Sequence, residues 1–260
     1  LIISKEALDL VDILDQARHQ FKLIASRQGL LDDSVCVTTG PLSPRQAIGT
    51  PVRQDYPLLT GREVIVEAKF RSSYGQAFTS NPHVYEGSLS EILALPLTNP
   101  GNRAVLLAAM NAVSSYLGLV TRVRHCKDDE PEKCAVEISS DLMKRFGRQK
   151  IGMIGYQPAI LERLTEKFGA ANIVCTDLNP ANIGEVRYGV EIWDGTSQTL
   201  RLIDWGDLVL VTSSTLSNGT LDAIYEEAVL IKKKKLVIFG ITGASVAALL
   251  GLDRLCFYGH

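Results

Sequence analysis

"KIGMIGYQPAILERL", residues 150–164, is the stretch that decides the fold. Residues 151–154 read as a short buried strand and Gly155 as a sharp turn. Pro158 reads as the first residue of a helix, where its fixed φ is suitable and its missing N–H is not needed. Nucleotide-binding units begin in this way. The dinucleotide fingerprint G-x-G-x-x-G, however, needs a second glycine where the backbone approaches the pyrophosphate. Tyr156 and Gln157 stand there instead. The stretch predicts the strand–turn–helix of a parallel sheet and argues against NAD or FAD.

Outward from it, "NIVCTDL", "DLVLVTSS", "KLVIFGI" and "RLCFYG" are short apolar, β-branched runs alternating with helix-like segments. Such runs form parallel strands buried on both faces. They predict a doubly wound, Rossmann-like domain over 139–260. Upstream, residues 1–122 read as an α+β domain. A helix is expected over 4–28 with Ser4 as its cap, followed by an antiparallel meander from "SVCVTTG", "REVIVEAKF" and "GQAFT". Two more helices follow from "SLSEILAL" and "NPGNRAVLLAAMNAVSSYLG", the second capped by Asn99. The polar "TRVRHCKDDEPEKC", broken by Pro131, predicts a linker or exposed excursion over 123–138. The fold class expected is therefore α/β, in two domains.

With 46% hydrophobic and 22% charged residues, the 260-residue chain has a globular composition. Its net charge of -2 provides no basic field for nucleic acid. No apolar run is long enough to span a bilayer. Five scattered cysteines form no disulfide framework and suit a reducing compartment. The expectation is a cytoplasmic protein with no nucleic-acid or membrane partner, for which self-association into a homo-oligomer stays open.

In open parallel sheets the ligand crevice lies beyond the carboxyl ends of the strands. Four loops leave those ends. The first offers Gly155, Tyr156 and Pro158. The second, "CTDLNP", offers Asp177 and Asn179, with Asp177 about 22 residues after Gly155, the spacing at which an acid meets a ribose hydroxyl. An Asx turn ahead of Pro180 explains the same residues equally well. The third, "VTSSTLSNGTLDAI", has more hydroxyl and amide side chains than helix capping needs, with Ser214, Thr215, Asn218 and Thr220 as the candidates. The fourth, "FGITGASVAAL", places Gly240, Thr242 and Gly243 at another helix start, where backbone donors face the crevice.

These motifs, in this order and spacing, resemble the heavy-metal chelation domain family. "GQAFT" and "AVLLAAMNAVSSYLG" are similar to the companion domain that precedes it. The resemblance implies an N-terminal domain like the N-terminal domain of enolases, a Rossmann-like C-terminal domain, and a ligand site in the cleft between them. From the companion domain it implies contributions by Gly75, Gln76, Ala77, Thr79 and Asn111. The chain departs from the family pattern at "GITGAS", where many members carry a proline-rich loop. The cofactor implied is a metal or a metal-associated heterocycle.

The sequence shows no paired C-x2-C sites, so no residue is assigned as a direct metal ligand. His125, Cys126 and Cys134 come nearest, but His125 and Cys126 are adjacent and point apart in an extended segment. There is no G-x-S-x-G elbow and no Walker lysine, so no catalytic residue is assigned. The leading expectation is a protein that binds a small polar or anionic ligand, such as a heterocyclic cofactor precursor or a metal chelate, in an interdomain cleft. One alternative is an enzyme performing methyl transfer or hydrolysis on a nucleotide-like or heterocyclic substrate. The other is a protein-interaction module with no small-molecule ligand.

Overall fold

The computed structural model describes residues 12–37, 41–60 and 63–260. Helix α1 runs Ile13–Arg27, capped by the Asp12 side chain. Ser4 and the start of the predicted helix lie outside the described residues. Strand β1 (Ser34–Val37) is followed by two short helices, α2 (Pro44–Ile48) and α3 (Pro57–Thr60), and then by β2 (Val64–Phe70), β3 (Ser73–Thr79) and β4 (Tyr85–Ser88). These strands form an antiparallel sheet ordered β3-β2-β1-β4. The first three make the expected meander, and β4 returns to extend it beyond β1.

After α4 (Leu89–Leu93), helix α5 (Pro100–Tyr116) starts at Asn99, whose side chain accepts from the Asn102 N–H. Helix α5 lies across β2 and β3. It approaches so closely that a Cβ on Gly75 would stand 2.2 Å from the Ala112 nitrogen and 2.5 Å from the Ala108 oxygen. The glycine is therefore required by packing.

The second half begins with α6 (Glu130–Phe146), β5 (Ile151–Ile154), α7 (Pro158–Phe168) and β6 (Ile173–Asp177). The hairpin β7 (Val186–Arg187) and β8 (Val190–Asp194) follows, then α8 (Gly195–Trp205) and β9 (Leu208–Thr212). The chain continues through α9 (Ser214–Asn218), α10 (Leu221–Tyr225), a π-helical turn at Glu226–Ile231, β10 (Lys235–Phe239), α11 (Ala244–Leu250) and β11 (Arg254–Leu255). The sheet order is β11-β10-β9-β5-β6-β8-β7, parallel throughout except for the β7–β8 pair. The protein is thus α/β with two sheets, the larger mostly parallel and flanked by helices.

Alternation along the parallel strands sends side chains to opposite faces. Val209 and Val211 join a core with α1, α5 and the first sheet, whereas Leu208 and Leu210 join one with α6 and α7. Ile238 is divided from Val237 and Phe239 in the same way. The first half therefore covers one face of the second sheet directly. Helix α1 packs against α11, and its Ile13 N–H donates to Asp222 at 2.9 Å.

Residues 123–138 are not an exposed excursion. Val123, Cys126, Pro131 and Cys134 are buried, and α6 begins at Glu130 with Pro131 in its first turn. The segment's charges lie on the outer side of packed structure, which is why its composition resembled that of a linker. Residues 214–218, expected as loop, form α9.

Candidate functional site

Strand β5 has β6 on one side and β9 on the other, so the chain leaves it in one direction and later returns in the other. A crevice opens at such a switch point, outside the carboxyl ends of the strands. Here it deepens into a cavity of about 710 Å³, within the range that holds a small organic molecule. The loops after β5, β6, β9 and β10 form one wall. Ile48, Tyr56, Glu63, Phe78, His125 and Cys126 from the first half close it opposite, and α6 contributes Cys134 and Ile138.

Of the residues expected from sequence, Gly155, Tyr156, Asp177, Asn179, Ser214, Thr215, Asn218, Thr220 and Gly240 line this cavity, whereas Pro158, Thr242, Gly243 and Asn111 do not. At Gly155, φ is +91° and a Cβ would meet the Thr212 methyl at 2.4 Å, so both the turn and the neighbouring strand demand glycine. Tyr156 is nearly buried, and its hydroxyl makes no hydrogen bond among the described residues. Burial, followed by the charge of Asp55, pushes its pKa up to about 12.

Asp177 binds the protein itself. One carboxylate oxygen accepts the Tyr156 N–H at 2.7 Å, and the other accepts the Asn179 N–H at 2.7 Å and the Asn182 amide at 3.3 Å. The Gln157 side chain takes the Ile160 N–H at 2.6 Å. The turn that would hold a phosphate therefore already holds a carboxylate, and most of the acceptor capacity of Asp177 is spent on an Asx brace.

In the third loop, Asn218 accepts from the Thr220 N–H (3.1 Å) and hydroxyl (2.7 Å), and the Thr215 hydroxyl donates to the Thr212 carbonyl (2.6 Å). The surplus of polar side chains serves partly to satisfy itself.

The fourth loop and Asn111 form a joint between the halves. The fully buried Asn111 amide donates to the carbonyls of Gln76 (3.0 Å), Ile241 (3.2 Å) and Thr242 (3.1 Å). Its oxygen accepts from the Ser245 N–H (2.9 Å) and hydroxyl (2.8 Å), and the Thr242 hydroxyl accepts the Phe78 N–H at 3.0 Å. The Asn111 amide has no capacity left for a ligand. Gln76 is similarly engaged, donating to Glu67 (2.7 Å) and accepting the His125 N–H (2.7 Å).

Sequence reasoning missed Glu63 and Thr176. Glu63 lies just before β2 on the cavity wall, with no hydrogen bond or ion pair among the described residues. Desolvation, then the nearby Asp177 charge, raises its carboxyl to about 7. Thr176 also lines the cavity, fully buried, and its hydroxyl has no partner. No signal in the sequence marked Glu63, which enters from the other half. Thr176 immediately precedes the acid that drew attention.

At another part of the wall, the His125 Nδ1 lies 2.6 Å from the Cys126 carbonyl, which can only accept, so this nitrogen carries the proton and Nε2 keeps its lone pair. Burial lowers the ring to about 4, leaving it neutral. Arg53 pins the loop before α3 over the second half through Glu162 at 2.6 Å and a hydrogen bond to the Tyr188 hydroxyl.

Residues 139–253 match the family model described as "Putative heavy-metal chelation", DUF364. The chain is similar to a protein of unknown function from that family in Pyrococcus horikoshii, with 20% identity, a TM-score of 0.53, and coverage of 89% of this chain and 79% of that one. It is also similar to one from Desulfitobacterium hafniense, with 14% identity, a TM-score of 0.47 and 72% of each chain covered. No curated protein matches it.

The family description raises the question of a metal. Among the described residues, no group of three or more His, Cys, Asp or Glu side chains is placed to hold one. Cys126, Cys134 and Cys256 line the cavity near His125, but burial pushes all three thiols up, and a ligating cysteine must be deprotonated. The residues present do not fit direct ligation. Among the described residues, no helix is long and apolar enough to cross a membrane.

Proposed function

We propose that the protein binds a small organic ligand, of the heterocyclic cofactor-precursor or metal-chelate class, in the cavity between an enolase-N-terminal-like unit and a Rossmann-like sheet. The observation that carries this reading is the cavity itself. It lies at the carboxyl ends of the central strands, and its wall holds the buried Thr176 hydroxyl, which has no partner, and the Glu63 carboxyl, which has no hydrogen bond or ion pair among the described residues. Buried polar groups are ordinarily satisfied, so the unsatisfied Thr176 hydroxyl on a cavity wall points to a missing partner.

The wall is mostly apolar, with Phe78, Ile138, Ile160 and Phe239 among its residues, and no Lys or Arg lines it among the described residues. This disfavours the anionic form of ligand expected from sequence and favours a flat, largely apolar body. A metal, where present, would arrive coordinated by the ligand and not by the protein.

Native mass spectrometry of protein purified without oxygen, with elemental analysis of the same sample, tests the reading. A stoichiometric organic mass supports it, and metal in equal stoichiometry makes that ligand a chelate. Metal alone, or an empty protein that no compound from a heterocycle library stabilises against heat, defeats it.

A further inference from the structure

The end of the cavity formed by β6 and the entry to β2 has a definite chemical preference. Glu63 carries an unpartnered carboxyl, Thr176 an unpartnered buried hydroxyl, and Asp177 a carboxylate whose two oxygens already accept three hydrogen bonds. A carboxylate offers about four acceptor positions, so one remains on Asp177. Glu63 and Asp177 act on each other and offer acceptors, with no positive charge beside them among the described residues, and the Thr176 hydroxyl lines the same cavity. We infer that this end receives a protonated nitrogen, a primary ammonium or an amidinium, carried on the apolar body that fills the rest of the cavity. The inference rests on the cavity being a ligand site, and it names the class of group that the site recognises.

Two observations exclude the nearest rivals. An anion would face two carboxyl groups. A bare divalent cation would need more donors than this end supplies, since no metal-holding group is found among the described residues. A cation bearing several N–H donors instead matches the count of free acceptors, and hydrogen bonds to a charged partner are about twice as strong as neutral ones.

The electrostatics support the same choice. Burial and the adjacent Asp177 hold the Glu63 carboxyl near pH 7, and Asp177 is the one charged group that acts on it among the described residues. Without a ligand, Glu63 keeps its proton below neutrality. A bound ammonium stabilises the ionised form and displaces that proton. Binding therefore strengthens as pH rises through 7.

Benzylammonium, benzyl alcohol and benzoate serve as probes of one shape and three charges, with titration calorimetry at pH 6 and pH 8. At pH 8 benzylammonium should bind at least about tenfold more tightly than benzyl alcohol, with benzoate weakest. That margin should shrink several-fold at pH 6 and disappear in Glu63→Gln. Equal or tighter binding of benzyl alcohol or benzoate at pH 8, or a margin unmoved by both pH and Glu63→Gln, overturns the inference and leaves the cavity reading standing. Failure of all three probes to bind at millimolar concentration overturns both.

Discussion

The joint at Asn111 and the cavity end at Glu63 are both polar clusters where the two halves meet, and both contain loops that leave the parallel sheet. At the joint no polar side chain is left without a partner: Asn111 spreads its amide over three carbonyls and takes two bonds from Ser245, and Thr242 takes the Phe78 N–H. At the cavity end, Glu63 has no partner among the described residues and the Thr176 hydroxyl has none. The first cluster has the character of an internal weld and the second that of a half-interface. Residue type does not distinguish them, since asparagine, threonine and serine fill the first as readily as they would fill a binding loop. What separates them is whether the hydrogen-bond inventory closes within the chain.

The largest expected effect falls on the weld. Asn111→Leu would strand the Gln76 and Thr242 carbonyls and two Ser245 donors in a fully buried place, at a cost on the order of 3–5 kcal/mol. Urea denaturation should show it directly. A loss under about 1 kcal/mol would mean that the halves are not joined here.

A smaller effect, with a definite sign, falls on Glu63. Its carboxyl is raised to about 7 in the folded protein from an ordinary 4.5. Between those values the folded state holds a proton that the unfolded chain has released. Stability should therefore be highest below pH 4.5 as far as this group is concerned, fall as pH rises through the window, and level off above about 7. The loss is about 2–3 kcal/mol between pH 5 and 8. Glu63→Gln should remove that component, so the difference in pH dependence between the two proteins, measured by denaturation at pH 5 and 8, isolates it. Identical pH profiles would show that Glu63 is solvated or paired.

The same contrast explains what the sequence could reveal. The strands of the parallel sheet were legible because burial on both faces writes a continuous apolar run, as in "LVLV" at 208–211. The β7–β8 hairpin was not. Its two-residue turn, Tyr188–Gly189, has positive φ at both positions but carries tyrosine where asparagine or aspartate usually signals such a turn. The carboxyl-end loops were found from their turn chemistry, and nine of the thirteen residues chosen do line the cavity. Asn111 and Thr242 pointed elsewhere because a side chain's partners lie across the fold, and the same is true of Glu63, whose neighbour Asp177 is 114 positions away. Period and turn residues are local properties, and satisfaction of a buried polar group is not.

Asp177 stands between the two clusters, braced by three donors yet still on the cavity wall. Asp177→Asn keeps the shape but turns an amide toward one of the backbone N–H groups, which should cost about 2 kcal/mol. It also removes the like charge beside Glu63, so the Glu63 carboxyl should titrate lower, as read by the carboxyl carbon shift of labelled glutamate. A Glu63 titration unmoved by this substitution would separate the two residues and dissolve the cavity end as a unit.

The smallest stability effect is the sharpest test of the contrast. The Thr176 hydroxyl is buried and unpartnered, so it has lost water without gaining a bond. Thr176→Val keeps the branched shape that the strand favours and deletes only that oxygen. If the hydroxyl waits for a ligand, thermal denaturation of the ligand-free protein should show no loss and a gain of up to about 1 kcal/mol, because an unsatisfied buried hydroxyl is itself a cost. Affinity for benzylammonium should fall at the same time. A fall in stability of more than about 1 kcal/mol would reveal a structural role, since buried groups that hold the fold are costly to remove. Thr176 would then belong with Asn111, and the division between weld and half-interface would have to be drawn around Glu63 alone.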